Sequence, residues 1–131
     1  MQFSNFNFQN PNPMNKSDKI YDLEERTFKF AKDCRVLVLK LKNTISNQED
    51  SRQLVRSPGS IGANYIEANE KLGDKDFLFR LKISRKEAKE SLFWLRLLKD
   101  LNEDDSEIIN SLIIEAEELK KIFSTIIIKS L

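Results

Sequence analysis

Three long stretches of this chain repeat apolar or small residues at spacings of three and four, with little to interrupt them. The first line is Ile20, Leu23, Thr27, Phe30, Ala31, Cys34, Val38, Leu41 and Ile45. The second is Phe77, Leu81, Ser84, Ala88, Ser91, Leu95 and Leu98. The third runs through Ile108, Ile109, Leu112, Ile113, Ala116, Leu119, Ile122, Phe123, Ile126 and Ile127. Spacings of this kind gather side chains into one stripe of an α-helix. Only three glycines and three prolines occur in 131 residues, too few to punctuate a many-stranded fold.

Between the first two lines, Leu54, Val55, Ile61, Ala63, Tyr65, Ile66 and Ala68 mark a further helix that contains Pro58 and Gly59. Proline lacks the N–H of the helical ladder and its ring crowds the preceding turn, so a kink or local break is expected there. Ser17 or Asp18 can cap the first helix. Asn47 is the expected cap of the second, with Glu49 and Asp50 in its first turn, and Gly73 suits its C-terminal end. Asp74 or Asp76 opens the third helix, which runs to about Leu101, and Asn102-Glu103-Asp104-Asp105 divides it from the fourth. The result is an all-α, antiparallel up-and-down four-helix bundle over residues 18–131, with a kinked second helix. Ser124 to Ile128 is β-branched enough for a strand, but the helical period leading into it favours helix.

Residues 1–17 read as an Asn-rich tail carrying Pro11 and Pro13. Phe3, Phe6 and Phe8 could anchor it in a groove; the favoured reading is a disordered leader.

Composition removes several chemistries. The chain has no histidine, which takes away the commonest general base, the commonest metal ligand and the Ser–His and Cys–His pairs. No cofactor, metal or catalytic residue is expected, and the chain is read as not an enzyme. Lys and Arg number 22 against 21 Asp and Glu, so no global charge draws it to nucleic acid or anionic lipid. One cysteine, Cys34, makes a cytoplasmic location the default, and on the apolar stripe it reads as a small buried hydrophobe. No signal peptide is evident, and no apolar run approaches the roughly 20 residues a membrane span needs.

Arg56, Ser60, Asn64 and Glu67 follow one another at spacings of four, four and three, on one helical face. They form either a polar binding surface or, more favoured, a polar network between helices or subunits in which the charges are paired. Glu67, Glu70, Glu87 and Glu90 could converge if the second and third helices are antiparallel. Arg85, Lys86 and Lys89 lie in the same region, which favours ion pairing over a cation site. The third helix also carries Arg80, Lys82, Arg85, Lys86, Lys89 and Arg96, with Phe93 among them. This set could hold phosphates and stack bases, or be no more than a solvated face. Trp94, beside Phe93, is either core or a subunit-interface anchor, and the surplus of apolar residues leans towards interface.

The segment Gln53-Leu-Val-Arg-Ser-Pro-Gly-Ser-Ile-Gly-Ala-Asn-Tyr-Ile-Glu-Ala-Asn-Glu70 resembles the signature of the 23S rRNA intervening-sequence proteins, at Arg56, Ser60, Ile61, Ala63, Asn64 and Glu67. Asp76-Phe77, Ser84-Arg-Lys-Glu-Ala-Lys-Glu90 and Trp94-Leu95 are similar to the family's second block. Tyr65-Ile66-Glu67-Ala68-Asn69 departs from the usual pattern, as does Pro58-Gly59, which suggests a subfamily variant. The resemblance implies a four-helix protomer and a ring-like homopentamer. It also implies kinship with accessory proteins of diversity-generating retroelements, which bind nucleic acid and a reverse transcriptase. The reading is therefore a non-catalytic, self-associating interaction or scaffold protein. The alternative is a nucleic-acid-binding accessory module.

Overall fold

A computed structural model describes residues 16–70 and 72–131, with side chains described from residue 23 onward. It contains α1 (Lys16–Lys40), α2 (Ile45–Asn69), α3 (Asp74–Leu101) and α4 (Ser106–Lys129). A single 3-10 turn, Glu103–Asp105, joins the last two. No strand occurs among the described residues, and Ser124 to Ile128 is helical. Residues 1–15 of the expected tail, with Phe3, Phe6 and Phe8, lie outside the described residues, while Lys16 and Ser17 open α1.

α2 packs on α1 and α3, and α4 packs on α3 and α1, which is the neighbour pattern of an up-and-down bundle. The stripes meet along its axis. Leu23, Phe30, Cys34 and Leu37 of α1 close on Leu54, Ile61, Tyr65 and Ala68 of α2 and on the predicted lines of α3 and α4. Each fully buried leucine or isoleucine contributes about 1.5–3 kcal/mol relative to exposure, so these apolar stripes are the main source of stability.

The boundaries differ from expectation in three places. Thr44 caps α2, its hydroxyl accepting the N–H of Asn47 at 3.0 Å, so Asn47 is no cap but a buried residue of the first turn. Ile45 therefore belongs to α2 and is exposed, not part of the α1 stripe. Gly73 does not close α2, which ends at Asn69; it stands before α3 with φ +137°, a conformation that favours glycine. Of the kink or break expected at Pro58, no break occurs: α2 is continuous there, with Pro58 and Ser57 buried on its packed face.

Candidate interaction surfaces

The α2–α3 seam is laced with polar contacts. Antiparallel packing brings Arg56 opposite Glu87 and Glu90, Ser57 opposite Ser91, Ile61 opposite Ser84 and Asn64 opposite Arg80. Serine and alanine along α3 leave the room that these contacts need. The Ser57 and Ser91 hydroxyls meet at 2.9 Å in full burial, and Ser91 also donates to the carbonyl of Glu87. The hydroxyl of Ser84 donates to the carbonyl of Ile61 at 2.9 Å. Arg56 donates to the buried carboxylate of Glu87 at 3.4 Å and also to Glu90. Its guanidinium pKa is raised, chiefly by the hydrogen bond to Glu87. At one end of the bundle, Asn47 and Asn102 exchange amide hydrogen bonds of 2.8 and 2.9 Å. Their remaining N–H groups reach the carbonyls of Lys42 and Leu98.

The predicted polar face is thus divided. Arg56 joins the seam, while Asn64 accepts from Arg80 at 3.2 Å and donates to Ser60. Glu67 stays exposed. The four glutamates do not converge: the antiparallel register that sets Arg56 against Glu87 and Glu90 sends Glu67 and Glu70 to the other end of α3. Among the described residues no cluster of acidic side chains or cysteine could hold a metal ion.

The predicted basic set also separates. Arg80 is engaged by Asn64 and lies 3.6 Å from Asp76, and Arg85 is half-buried. Lys82, Lys86, Lys89 and Arg96 remain exposed with Phe93, at spacings of four, three, four and three, and Phe79 and Lys75 extend the line. α3 therefore presents one outward row of cations interrupted by two phenylalanines, 58% and 53% exposed. Trp94 packs against the protomer's own core, with Nε1 shielded and without an acceptor. Phe93 is the more exposed of that pair, edge-on to the half-buried indole at 5.0 Å.

The third surface is one the sequence reading missed. Phe28, Ala31 and Arg35 of α1 and Pro58, Gly59, Ala63 and Ile66 of α2 line an open, mostly apolar groove of about 420 Å³. Its floor is close-packed: a Cβ on Gly62 would lie 3.1 Å from the Thr27 hydroxyl. The Arg35 guanidinium lies over Gly59, where a Cβ would be 3.3 Å from Nη2. In line with it along the same helix pair, Val38, Leu39, Lys42, Arg52 and Val55 border a second groove. Phe28 and Ile66, at 66% and 51% exposure, are large apolar side chains left in solvent on facing helices. Their positions were legible as apolar residues off the main stripe, but nothing in the sequence showed that they would face each other.

Two buried groups complete the electrostatics. Asp33 is 1% exposed on α1, with Oδ2 3.8 Å from Lys29 and Oδ1 without a partner. Burial raises its pKa from 3.8 to about 6, against the attraction of Lys29 and Lys32 and with a small push from Glu115. Beside it, Arg26 grips Glu115 of α4 through two hydrogen bonds of 2.7 and 2.8 Å. Cys34 is fully buried and its thiol is pushed well above the ordinary range by burial, which leaves it unreactive.

Comparison with known proteins settles the family. The family model of the 23S rRNA-intervening sequence protein matches residues 20–125, from the first turns of α1 to the last turns of α4. The chain belongs to this family. A solved relative is a protein of unknown function from the S23 ribosomal protein family of Bacteroides thetaiotaomicron. It is 32% identical, covers 83% of this chain and 97% of its own, and superposes with a TM-score of 0.73. No curated protein matches the chain. As an intervening-sequence protein the chain keeps the signature on α2, and Arg56 and Asn64 there spend their side chains on contacts to α3. In this chain those two signature side chains bridge α2 to α3 within the protomer. No described helix is long and apolar enough to cross a membrane.

Proposed function

We propose that this intervening-sequence protein is a non-catalytic self-associating module, a protomer of a homo-oligomer that serves as an interaction scaffold. One observation carries the reading: α1 and α2 leave an apolar groove open along their outer side, with Phe28 and Ile66 on its walls. Exposed aromatic and aliphatic side chains on a preformed concave face are what a docking surface supplies, and what an isolated soluble protomer has reason to avoid. The family resemblance supports a ring-like pentamer. The absence of histidine and the burial of Cys34 support a role without covalent or acid–base chemistry. Light scattering on the full chain at micromolar concentration tests it. A mass several times the 15.3 kDa of the protomer is expected, and a mass of 15.3 kDa overturns the reading.

The exposed row on α3 favours a second reading, contact with nucleic acid. Lys82, Lys86, Lys89 and Arg96 point the same way, and Glu87 and Glu90 are turned to α2 and occupied by Arg56. Cations that track a phosphate backbone, with phenylalanines able to stack bases, are the ingredients of single-strand binding. Repetition around a ring would multiply this field, and the resemblance to retroelement accessory proteins points the same way. Titration with single-stranded RNA and DNA across salt concentrations is expected to show binding that weakens steeply with salt. Replacing Lys86 and Lys89 by Glu should abolish it. No binding at low salt removes this reading.

A further inference from the structure

We infer that residues 5–9, from the chain that precedes α1, lie in the α1–α2 groove of their own protomer, with Phe8 against Phe28 and Ile66. The inference does not rest on the self-association reading but bears on it, because a second copy that uses the groove must first displace this segment.

The groove selects for an occupant with aromatic or aliphatic side chains and no basic ones. Phe28 and Ile66 form large apolar walls, and Pro58 and Ala63 line the way from them towards Arg35. Lys32 and Arg35 stand along the α1 side, so a segment bearing cations is repelled. Residues 1–15 hold three phenylalanines and no charged side chain. Within them, Asn5-Phe6-Asn7-Phe8-Gln9 alternates amides with aromatic rings. That is the period of an extended segment, which sets Phe6 and Phe8 on one face and the amides on the other.

The length of chain outside the described residues matches the groove, and so does the place where it joins the protein. Residues 1–15 connect to Lys16, the first residue of α1, and the groove begins two turns further on, at Glu24. Pro11 and Pro13 disfavour helix at the residues before them, and Asn-Pro steps suit a reversal of the chain. From Lys16 to Phe28 is about 18 Å along the helix axis. From Lys16 back to Phe8 is about 26 Å of extended chain, enough to reverse and meet Phe28. From Phe8 to Phe6 is about 7 Å, a little over one helical turn, which carries Phe6 to the level of Ala31 and Lys32. There the Arg35 guanidinium folds back to the Ala31 carbonyl at 3.1 Å. The ring of Phe6 meets it as an aromatic face meets a cation.

Tethering adds an advantage that a separate partner lacks, since a segment joined to the groove's own helix is present at high effective concentration. The docked segment covers Phe28 and Ile66, and it acts as a brake on any assembly that uses the same walls.

Cross-linking in the full chain tests the contact. Cys34 is fully buried and unreactive, so an added pair of cysteines reports alone. Asn7→Cys is combined either with Ala63→Cys, in the groove, or with Glu118→Cys, an exposed site on α4. Each pair is treated with a short bis-maleimide, and the products are separated by denaturing mass spectrometry, with helical circular dichroism as the folding control. The 7–63 link is expected to form within one chain at least about tenfold faster than the 7–118 link, a preference set by effective concentration. Adding Phe6→Ser and Phe8→Ser is expected to bring the two rates level. Equal rates in the presence of both rings overturn the inference, and so does a preference that survives their loss. A 7–63 link that joins two chains also overturns it, because the segment then lies in the groove of another copy. Light scattering keeps this result apart from the self-association reading. A wild type that stays at 15.3 kDa overturns self-association, while the cross-link alone decides the docking. In a wild type that assembles, Phe6→Ser with Phe8→Ser is expected to lower the concentration at which the mass rises, and an unchanged concentration overturns the brake.

Discussion

The two sides of α2 are finished in opposite ways. Towards α3 it meets a helix of small residues, and the space is closed by reciprocal polar contacts: Ser57 with Ser91, Ser84 with the Ile61 carbonyl, and Arg56 with Glu87 and Glu90. Towards α1 it is close-packed at Gly62, beneath Thr27, and Gly59, Ala63 and Ile66 line an apolar groove on its outer side. A polar seam whose donors and acceptors are satisfied specifies one register and leaves little for another molecule to gain. An apolar groove without such partners specifies less and still has surface to lose to water. The contrast teaches that the protomer closes the first side with its own residues and leaves apolar surface uncovered on the second.

The comparison breaks most sharply at the glycines of α2. Gly62→Val is expected to cost about 2–3 kcal/mol, because its Cβ meets Thr27 at 3.1 Å and α1 must shift. Gly59→Ala, one turn earlier on the same helix, should be neutral or stabilising by up to about 1 kcal/mol, since the far end of the Arg35 side chain can move aside and alanine favours helix. Denaturant melts of the two variants read the difference; equal losses would mean that the groove is as closely packed as the floor.

Asp33 sharpens the picture of the α1 side. Its carboxyl titrates at about 6 when folded against 3.8 when free, so the folded state holds the proton more tightly. Stability from this group is full below about pH 4 and is lost as the pH rises through about 6. Asp33→Asn should remove that slope and leave the protein about 2 kcal/mol more stable at pH 7, by melts at pH 4, 5, 6 and 7. A variant whose stability keeps the wild-type pH slope would place the titrating group elsewhere.

The smallest effect is expected on the α3 side. Ser91→Ala leaves Ser57 buried without its partner and should cost about 1 kcal/mol, whereas replacing both serines by alanine should cost less than the sum of the single changes. Additive losses in that double-mutant cycle would show that the two hydroxyls do not depend on each other.

Much of this was legible in the residue order. The buried line of α3 runs through Leu81, Ser84, Ala88, Ser91, Leu95 and Leu98 as the spacing predicts. The same spacing could have found more. Asn47 and Ser51 continue the buried line of α2 through Leu54, and Asn102 follows Leu98 by four, yet Asn47 read as a cap and Asn102 as part of a turn. Asp33 lies three residues after Phe30 and four before Leu37, on the stripe, and its charge masked it. The candidate basic residues were legible as cations at helical spacing, but only the fold shows that Arg80 is held by Asn64 while Lys86 and Lys89 are open.

The sequence by itself determined four helices, their apolar stripes and their order, because helical periodicity is a local property that a linear pattern can carry. The tertiary structure alone decided which polar residues find partners and where two helices part to leave a groove. Those outcomes depend on the antiparallel register between segments distant in the chain. A shift of one turn would set Arg56 against different residues and move Gly59 from beneath Arg35 without changing a single letter of the pattern.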